Sequence, residues 1–284
     1  MRLVMTLLVR DEEDVIEANL DFHLAQGVDF VIVTDNGSED ATPELLRRYV
    51  ERGEVEVIHE PQDDYSQARW VTRMARRAAV EHGADWVINA DADEFWWPAS
   101  GTLATALEDV ADEYGSVVAW RTNFTARWED DGPFYERMTV REVVSTNPLG
   151  DRLPPKLCHR AHAEVEVAQG NHGVSAPGLG RALDDGRIEI LHFPMRSYRQ
   201  FENKIVKGGA AYRRNRELPQ NVGRTWRKLY ERWAAGGLPS YYAGLVPDGA
   251  ELRRRLTQGE LAVDTRLRDF FHTRSPRAAD PRGS

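Results

Sequence analysis

Apolar residues fall along the first hundred positions in two alternating rhythms. Short unbroken runs at Leu3–Val9, 30–34 (FVIVT), Val55–His59 and 85–90 (DWVINA) predict strands buried on both faces. Between them, apolar side chains recur three or four positions apart. Residues 15–26 carry Ile16, Leu20 and Leu24 on one stripe, and helices are also predicted over 41–52 and 66–82. Asp40 stands where an N-cap is expected, Pro43 falls in the first turn, and Gly83 closes the third helix. Strands separated by helices of this length predict right-handed βαβ units, a parallel sheet and an α/β fold.

Past residue 95 the rhythm changes. A helix over about 102–114 leads to a strand at 116–122. Short segments follow at 137–144, 156–160, 163–168 and 187–193, reading as antiparallel or mixed strands with long loops. From Ser197 the pattern turns helical, over 197–216, 223–235 and 249–258, with Trp226, Tyr230 and Trp233 on one face of the second. The expected organisation is a catalytic α/β domain over 1–196, a helical extension over 197–273, and a disordered tail over 274–284 (RSPRAADPRGS).

Composition narrows this only in part. A chain of 284 residues, 41% hydrophobic, supports one large core. The lone cysteine, Cys158, reads as a small buried residue and suits a reducing cytosol, so a cytoplasmic location is expected. The apolar run at the N-terminus is too short for a signal peptide and ends in charge, and no stretch has the length of a membrane span. The net charge of −9 hides an asymmetry: residues 1–100 carry 9 Lys/Arg against 22 Asp/Glu, and residues 196–284 carry 19 against 9. Docking of a basic tail on an acidic domain is the preferred explanation. A cationic surface for a diphosphate or lipid phosphate is the sharper alternative, with peripheral membrane contact allowed and nucleic acid not expected.

The chemistry concentrates where strands end. Asp91-Ala92-Asp93-Glu94 follows the fourth strand, at the edge where open α/β sheets bind ligands. Two carboxylates one residue apart repel unless a cation compensates, and a hard divalent ion prefers oxygen ligands and shares them with phosphates. Asp35 ends the second strand, where a carboxylate reads ribose hydroxyls or a base N–H. Arg10, Asp11, Glu12 and Glu13 follow the first strand. Arg10 is placed to pair with phosphate and Asp11 or Glu12 to read a base, although carboxylates at a helix N-terminus need no such role.

With these residues in view, LLVRDEEDVIEANLDFHLAQGVDFVIVTDNGSEDAT and DWVINADADEF resemble the family 2-like glycosyltransferases, nearest a subgroup carrying D-x-D-E-F. The likeness covers about residues 1–97 well and 98–204 more weakly. It implies a GT-A fold, with 1–97 as the nucleotide-sugar-binding half and 98–196 as the acceptor half. It also implies a nucleotide-diphosphate sugar donor, and Mn²⁺ or Mg²⁺ at Asp91 and Asp93. By the same likeness Asp11 and Asp35 fall at nucleotide positions. Gln67 and Arg69 fall in a donor-site segment, although the family's Arg-Asn is here Arg69-Trp70. His192 resembles a late metal-binding histidine, with His172 the alternative, and Lys204 resembles a diphosphate-holding lysine. Glu129, Asp130 and Asp131, beside Trp128, are the candidate bases for an acceptor hydroxyl on a small molecule, glycan or glycolipid. Inversion is expected because the resembling families mostly invert. A nucleotidyltransferase, or a non-catalytic sugar-nucleotide or carbohydrate-binding protein, is the competing reading.

Overall fold

The computed structural model describes every residue except 63–65, 129–130, 148–149, 216–218, 220–221 and 275–284. The first half alternates strand and helix as expected: β1 (Leu3–Val9), α1 (Ile16–Ala25), β2 (Phe30–Asp35), α2 (Thr42–Glu51), β3 (Val55–His59), α3 (Gln67–Val80) and β4 (Trp86–Asp91). Their order across the sheet is β3-β2-β1-β4, all parallel. Side-chain alternation decides which face each residue serves. Leu3, Met5, Leu7, Val31, Val33, Trp86 and Ile88 join the large core that includes Ile16, Leu20, Leu46 and Tyr49 from α1 and α2. Val4, Ile32 and Val87 point the other way and pack with Val71, Met74 and Ala75 of α3. With both faces covered, the parallel strands carry the near-continuous apolar runs that made them legible.

The second half supplies β5 (Glu94–Pro98), α4 (Leu103–Glu108), β6 (Tyr114–Asn123), α5 (Phe134–Arg137), β7 (Val140–Glu142), β8 (Lys156–Arg160), β9 (Glu166–Val167), β10 (Val174–Ser175), β11 (Arg181–Leu183) and β12 (Ile188–His192). The main sheet continues β4-β8-β6-β12-β5, with β8 antiparallel to both β4 and β6, and β12 parallel to β6 but antiparallel to β5. The fold is the expected mixed α/β of GT-A type. Two elements differ from expectation. The helix read over 102–114 is only six residues long, held at its start by a Thr102–Thr105 capping box, and Tyr114 already belongs to β6. Within the segment 137–144, Arg137 closes α5 and only Val140–Glu142 is strand.

After β12 come α6 (Tyr198–Arg214), α7 (Arg224–Ala234), α8 (Leu238–Leu245), α9 (Gly249–Thr257), β13 (Leu261–Val263) and α10 (Arg266–Arg274). The stretch read as a helical extension is therefore not helical throughout. Leu261–Val263 pairs antiparallel with Val140–Glu142, a partner some 120 positions earlier that no local pattern reveals. Of the tail expected over 274–284, Arg274 ends α10 and residues 275–284 lie outside the described residues. Among the described residues, no helix is long and apolar enough to cross a membrane.

Candidate active site

Register brings the acidic loops to one edge. Val9 pairs with Asp35, Leu8 with Asp91, and Asp35 with His59, so β1 to β4 end together. The loops after β1 and β2 lock reciprocally. Asp11 N–H donates to Ser38 Oγ at 3.0 Å, Glu12 N–H to Thr42 Oγ1 at 2.9 Å, and Glu13 N–H to Asp40 Oδ2 at 3.0 Å. In return Glu39 N–H donates to Asp11 Oδ1 at 2.7 Å and Ala41 N–H to Glu13 Oε2 at 3.0 Å. Asp11 adopts a left-handed φ of 53°, a conformation Asp tolerates better than most residues. Ala41 is the N-cap of α2, and Asp40 instead bridges the loops, also accepting from Thr42 N–H at 2.9 Å.

The strand that sequence reading missed is what completes the site. β5 turns straight back after Asp91-Ala92-Asp93 and pairs with β12, setting His192 opposite Glu94. His192 also pairs with Asn123 at the end of β6. Asp93, 2% exposed, thus has His192 Nε2 3.7 Å from its Oδ1, while Lys204 Nζ donates to its Oδ2 at 2.5 Å. Ser197 caps α6 by accepting from Gln200 N–H, and the helix then crosses the edge. It delivers Asn203 and, four positions on, Lys207 to Asp11, and Lys204 to Asp93. This docking is where the charge asymmetry goes: Arg196, fully buried, donates to Glu12 at 2.5 Å and to Asp14 at 2.7 and 2.8 Å, and Lys207 bridges Asp11 and Glu39.

Asp91 faces a different set of donors. Lys156, 1% exposed on β8, reaches Asp91 Oδ2 at 2.6 Å and Glu94 Oε2 at 2.9 Å. Gln67 Nε2 and Asn171 Nδ2 approach Asp91 Oδ1 at 3.4 and 3.3 Å, and Arg121 stands 3.5 Å from Glu94 Oε1. Each acid of the D-x-D pair therefore has its own ammonium partner. Among the described residues, no three His, Cys, Asp or Glu side chains converge to enclose a metal ion. Burial would raise the Asp93 pKa, but the Lys204 ammonium, with Arg196 behind it, more than offsets this and holds the carboxyl well below the ordinary range. Asp91 is likewise lowered, burial being outweighed by Lys156. Burial wins at Glu12 and Glu94, both pushed up to about 7. His192 is pushed down to about 3, by burial first, and His172 to about 4 for the same reason.

These shifts set a stability profile. Glu12 and Glu94 lie above their unfolded value, so they stabilise the fold at pH below about 4.5 and lose that contribution as pH rises through 7. His23, His159 and His172 (each pushed down to about 4) and His192 lie below theirs. They contribute above about pH 6.5 and lose it as pH falls toward 4. Between these limits four histidines in the unfolded chain take up protons against two carboxyls in the folded one. Stability is expected to fall by roughly 4 kcal/mol from pH 6.5 to 4.5. Urea unfolding across that range checks it, and a rise in stability on acidification contradicts it.

The remaining candidates separate clearly. Asp35 is buried, accepting from Ser38 N–H and Oγ at 3.0 and 2.6 Å, with exposed His59 3.8 Å from its other oxygen. Gln67 is buried beside Asp91 and accepts from Gly170 N–H. Arg69 is exposed on α3 and bonds Gln62, whose carbonyl accepts from Asn36 beside Asp35. Arg10 is half-buried at the end of β1. His172 donates from Nδ1 to the Pro155 carbonyl at 2.9 Å and lies on the Lys156 side rather than at Asp93. Glu129 and Asp130 lie outside the described residues, and Asp131 is exposed. Cys158 is fully buried and burial pushes its thiol up to about 12, so it is inert. Sequence reading missed Asn123, Arg121, Lys156 and Lys207 as site residues. The available signal was a lysine and an arginine at inward strand positions, Lys156 and Arg121.

A four-stranded parallel half, an acidic loop at its carboxyl edge and an antiparallel return beside it make up a GT-A-type fold. The chain belongs to glycosyltransferase family 92, whose model matches residues 7–232. No curated protein matches its sequence. Among solved structures it is similar to Staphylococcus aureus TarS 1–349 in complex with UDP, at 14% identity over 83% of this chain and 72% of that one, with a TM-score of 0.44. It is also similar to glucosyl-3-phosphoglycerate synthase from Mycobacterium tuberculosis in complex with Mn²⁺, UDP and glucosyl-3-phosphoglycerate. The identity there is 15% over 87% and 81% of the two chains, with a TM-score of 0.35.

Proposed function

We propose that this glycosyltransferase moves a sugar from a nucleoside-diphosphate sugar to an acceptor hydroxyl, with inversion, using a divalent cation held by Asp93 and His192. Family membership sets aside the nucleotidyltransferase reading. One observation carries the cation: the ionised Asp93 carboxylate faces His192 Nε2 across 3.7 Å, too far for a hydrogen bond, and His192 is neutral at physiological pH. A carboxylate oxygen and a neutral imidazole nitrogen facing each other suit Mn²⁺ or Mg²⁺. When bound, such an ion neutralises charge developing on the diphosphate leaving group.

The chain's own residues supply the rest. Lys204, 2.5 Å from Asp93, and Lys207, beside Asp11, are positioned to receive the donor phosphates. Asp35, with one oxygen occupied by Ser38, offers the other to ribose or base. Asp91, steadied by Lys156 and Gln67, shapes the floor beneath the donor. Trp128, 46% exposed and packed edge-on against Tyr242 at 5.0 Å, presents a face suited to the C–H surface of an acceptor sugar. The base is assigned to the adjacent acids, Glu129, Asp130 or Asp131. The run Asp91–Phe95 supports the likeness to the D-x-D-E-F subgroup.

Release of UDP or GDP from a panel of sugar nucleotides tests the reading. Turnover is expected to vanish with EDTA and return with Mn²⁺. Activity indifferent to chelator would remove the cation from the scheme, and binding without release would mark a non-catalytic binder.

A further inference from the structure

His192 can face Asp93 with either a proton or a lone pair, and its other nitrogen decides which. That nitrogen, Nδ1, lies 2.7 Å from Asn123 Oδ1. The orientation of the Asn123 amide is itself fixed. Its Nδ2 donates to Glu142 Oε2 at 3.2 Å and to the Thr146 carbonyl at 3.1 Å, two acceptors that an amide oxygen could not satisfy. Oδ1 must therefore turn toward His192, and a carbonyl oxygen can only accept. The hydrogen bond requires the proton on Nδ1 and leaves Nε2 bare. The backbone holds the pair in register, because Asn123 and His192 are neighbours across β6 and β12 and Phe124 N–H donates to the His192 carbonyl at 2.8 Å.

We propose that Asn123 is a positioning residue that sets the cation-binding tautomer of His192, with Glu142 and the Thr146 carbonyl aiming Asn123 in turn. This rests on the cation site proposed above. It adds that the site is prepared by three residues, from β6, β7 and the loop after β7, none of which touches the ion. An Nε2 lone pair aimed at a carboxylate is unfavourable in the empty protein, and a cation turns it into a ligand pair.

The test uses the full-length protein with ¹⁵N-labelled histidine and Mn²⁺ alone or with UDP. In the metal-free wild type, the His192 ring is expected to show a protonated Nδ1 and an unprotonated Nε2. Asn123→Ala should give mixed tautomers and a 10–100-fold weaker Mn²⁺ affinity by electron paramagnetic resonance. Asn123→Asp combined with Glu142→Gln, in which the carboxylate still accepts from Nδ1 and the new amide at 142 can donate to its second oxygen, should keep the tautomer and most of the affinity. That rescue separates positioning from simple loss of fold, which thermal melting of both variants also reports. An Nε2-protonated His192 in the wild type, or Asn123→Ala binding Mn²⁺ as tightly as wild type, overturns the role of Asn123 alone. A wild-type protein that binds no Mn²⁺ overturns the cation site and this inference together.

Discussion

Asp93→Asn is expected to lower kcat/KM on the order of 10³-fold and to remove the Mn²⁺ dependence of nucleoside-diphosphate binding. The substitution keeps the shape of a side chain that is only 2% exposed, so the fold should survive. What it removes is the negative charge that Lys204, His192 and Arg196 all face. Two consequences follow with opposite signs. The cation loses its carboxylate, and with it the charge that compensates the leaving group. Lys204 loses its 2.5 Å partner and is freed toward an anion. Diphosphate binding measured in EDTA should therefore hold or tighten, while binding in Mn²⁺ should fall to the EDTA level. Calorimetric titration of UDP and GDP under both conditions reads this directly. Unchanged Mn²⁺-dependent affinity would deny Asp93 its role, and an equal loss in both conditions would point to structural damage.

Lys156→Met is expected to destabilise the protein by roughly 3–5 kcal/mol. Lys156 is 1% exposed and its ammonium lies within 3 Å of both Asp91 and Glu94. Methionine matches the length and fills the space, so the cost is electrostatic: two acids left beside each other without their cation. Glu94 sits near its own ionisation boundary, at about 7, and can relieve part of the strain by taking a proton. The variant should accordingly recover stability as pH falls from 8 to 6. Adding Glu94→Gln should restore a substantial part of the loss at neutral pH. Urea unfolding of the single and double variants checks both statements. A Lys156→Met protein within about 0.5 kcal/mol of wild type would mean that solvent, not Lys156, balances these carboxylates.

Half of the site was legible before any fold was known. Asp35 and Asp91–Glu94 follow apolar runs, and a strand buried on both faces can be recognised from its own residues. Asp11 was legible for the same reason. His192 and Lys204 were named by resemblance, yet nothing in their neighbourhoods said that they meet Asp93. Arg69 was also named by resemblance, and its side chain meets Gln62, whose carbonyl accepts from Asn36 beside Asp35, a meeting that no local pattern announces. Asn123 carried no local signature, and Lys156 only that of a lysine at an inward strand position, because each acts through a partner on a strand distant in sequence.

By itself the chain determined its parallel half-sheet, the loops that end it, the buried thiol at Cys158, and the opposition between an acidic front and a basic rear. These depend on periodicity and composition, which act over a few residues or over the whole chain. The tertiary structure alone decided that β5 folds back on β12, that β13 returns to β7, and which cation meets which acid. Strand pairing joins positions up to 120 residues apart, and the strength of a buried charge depends on what surrounds it in space rather than on what precedes it in the chain.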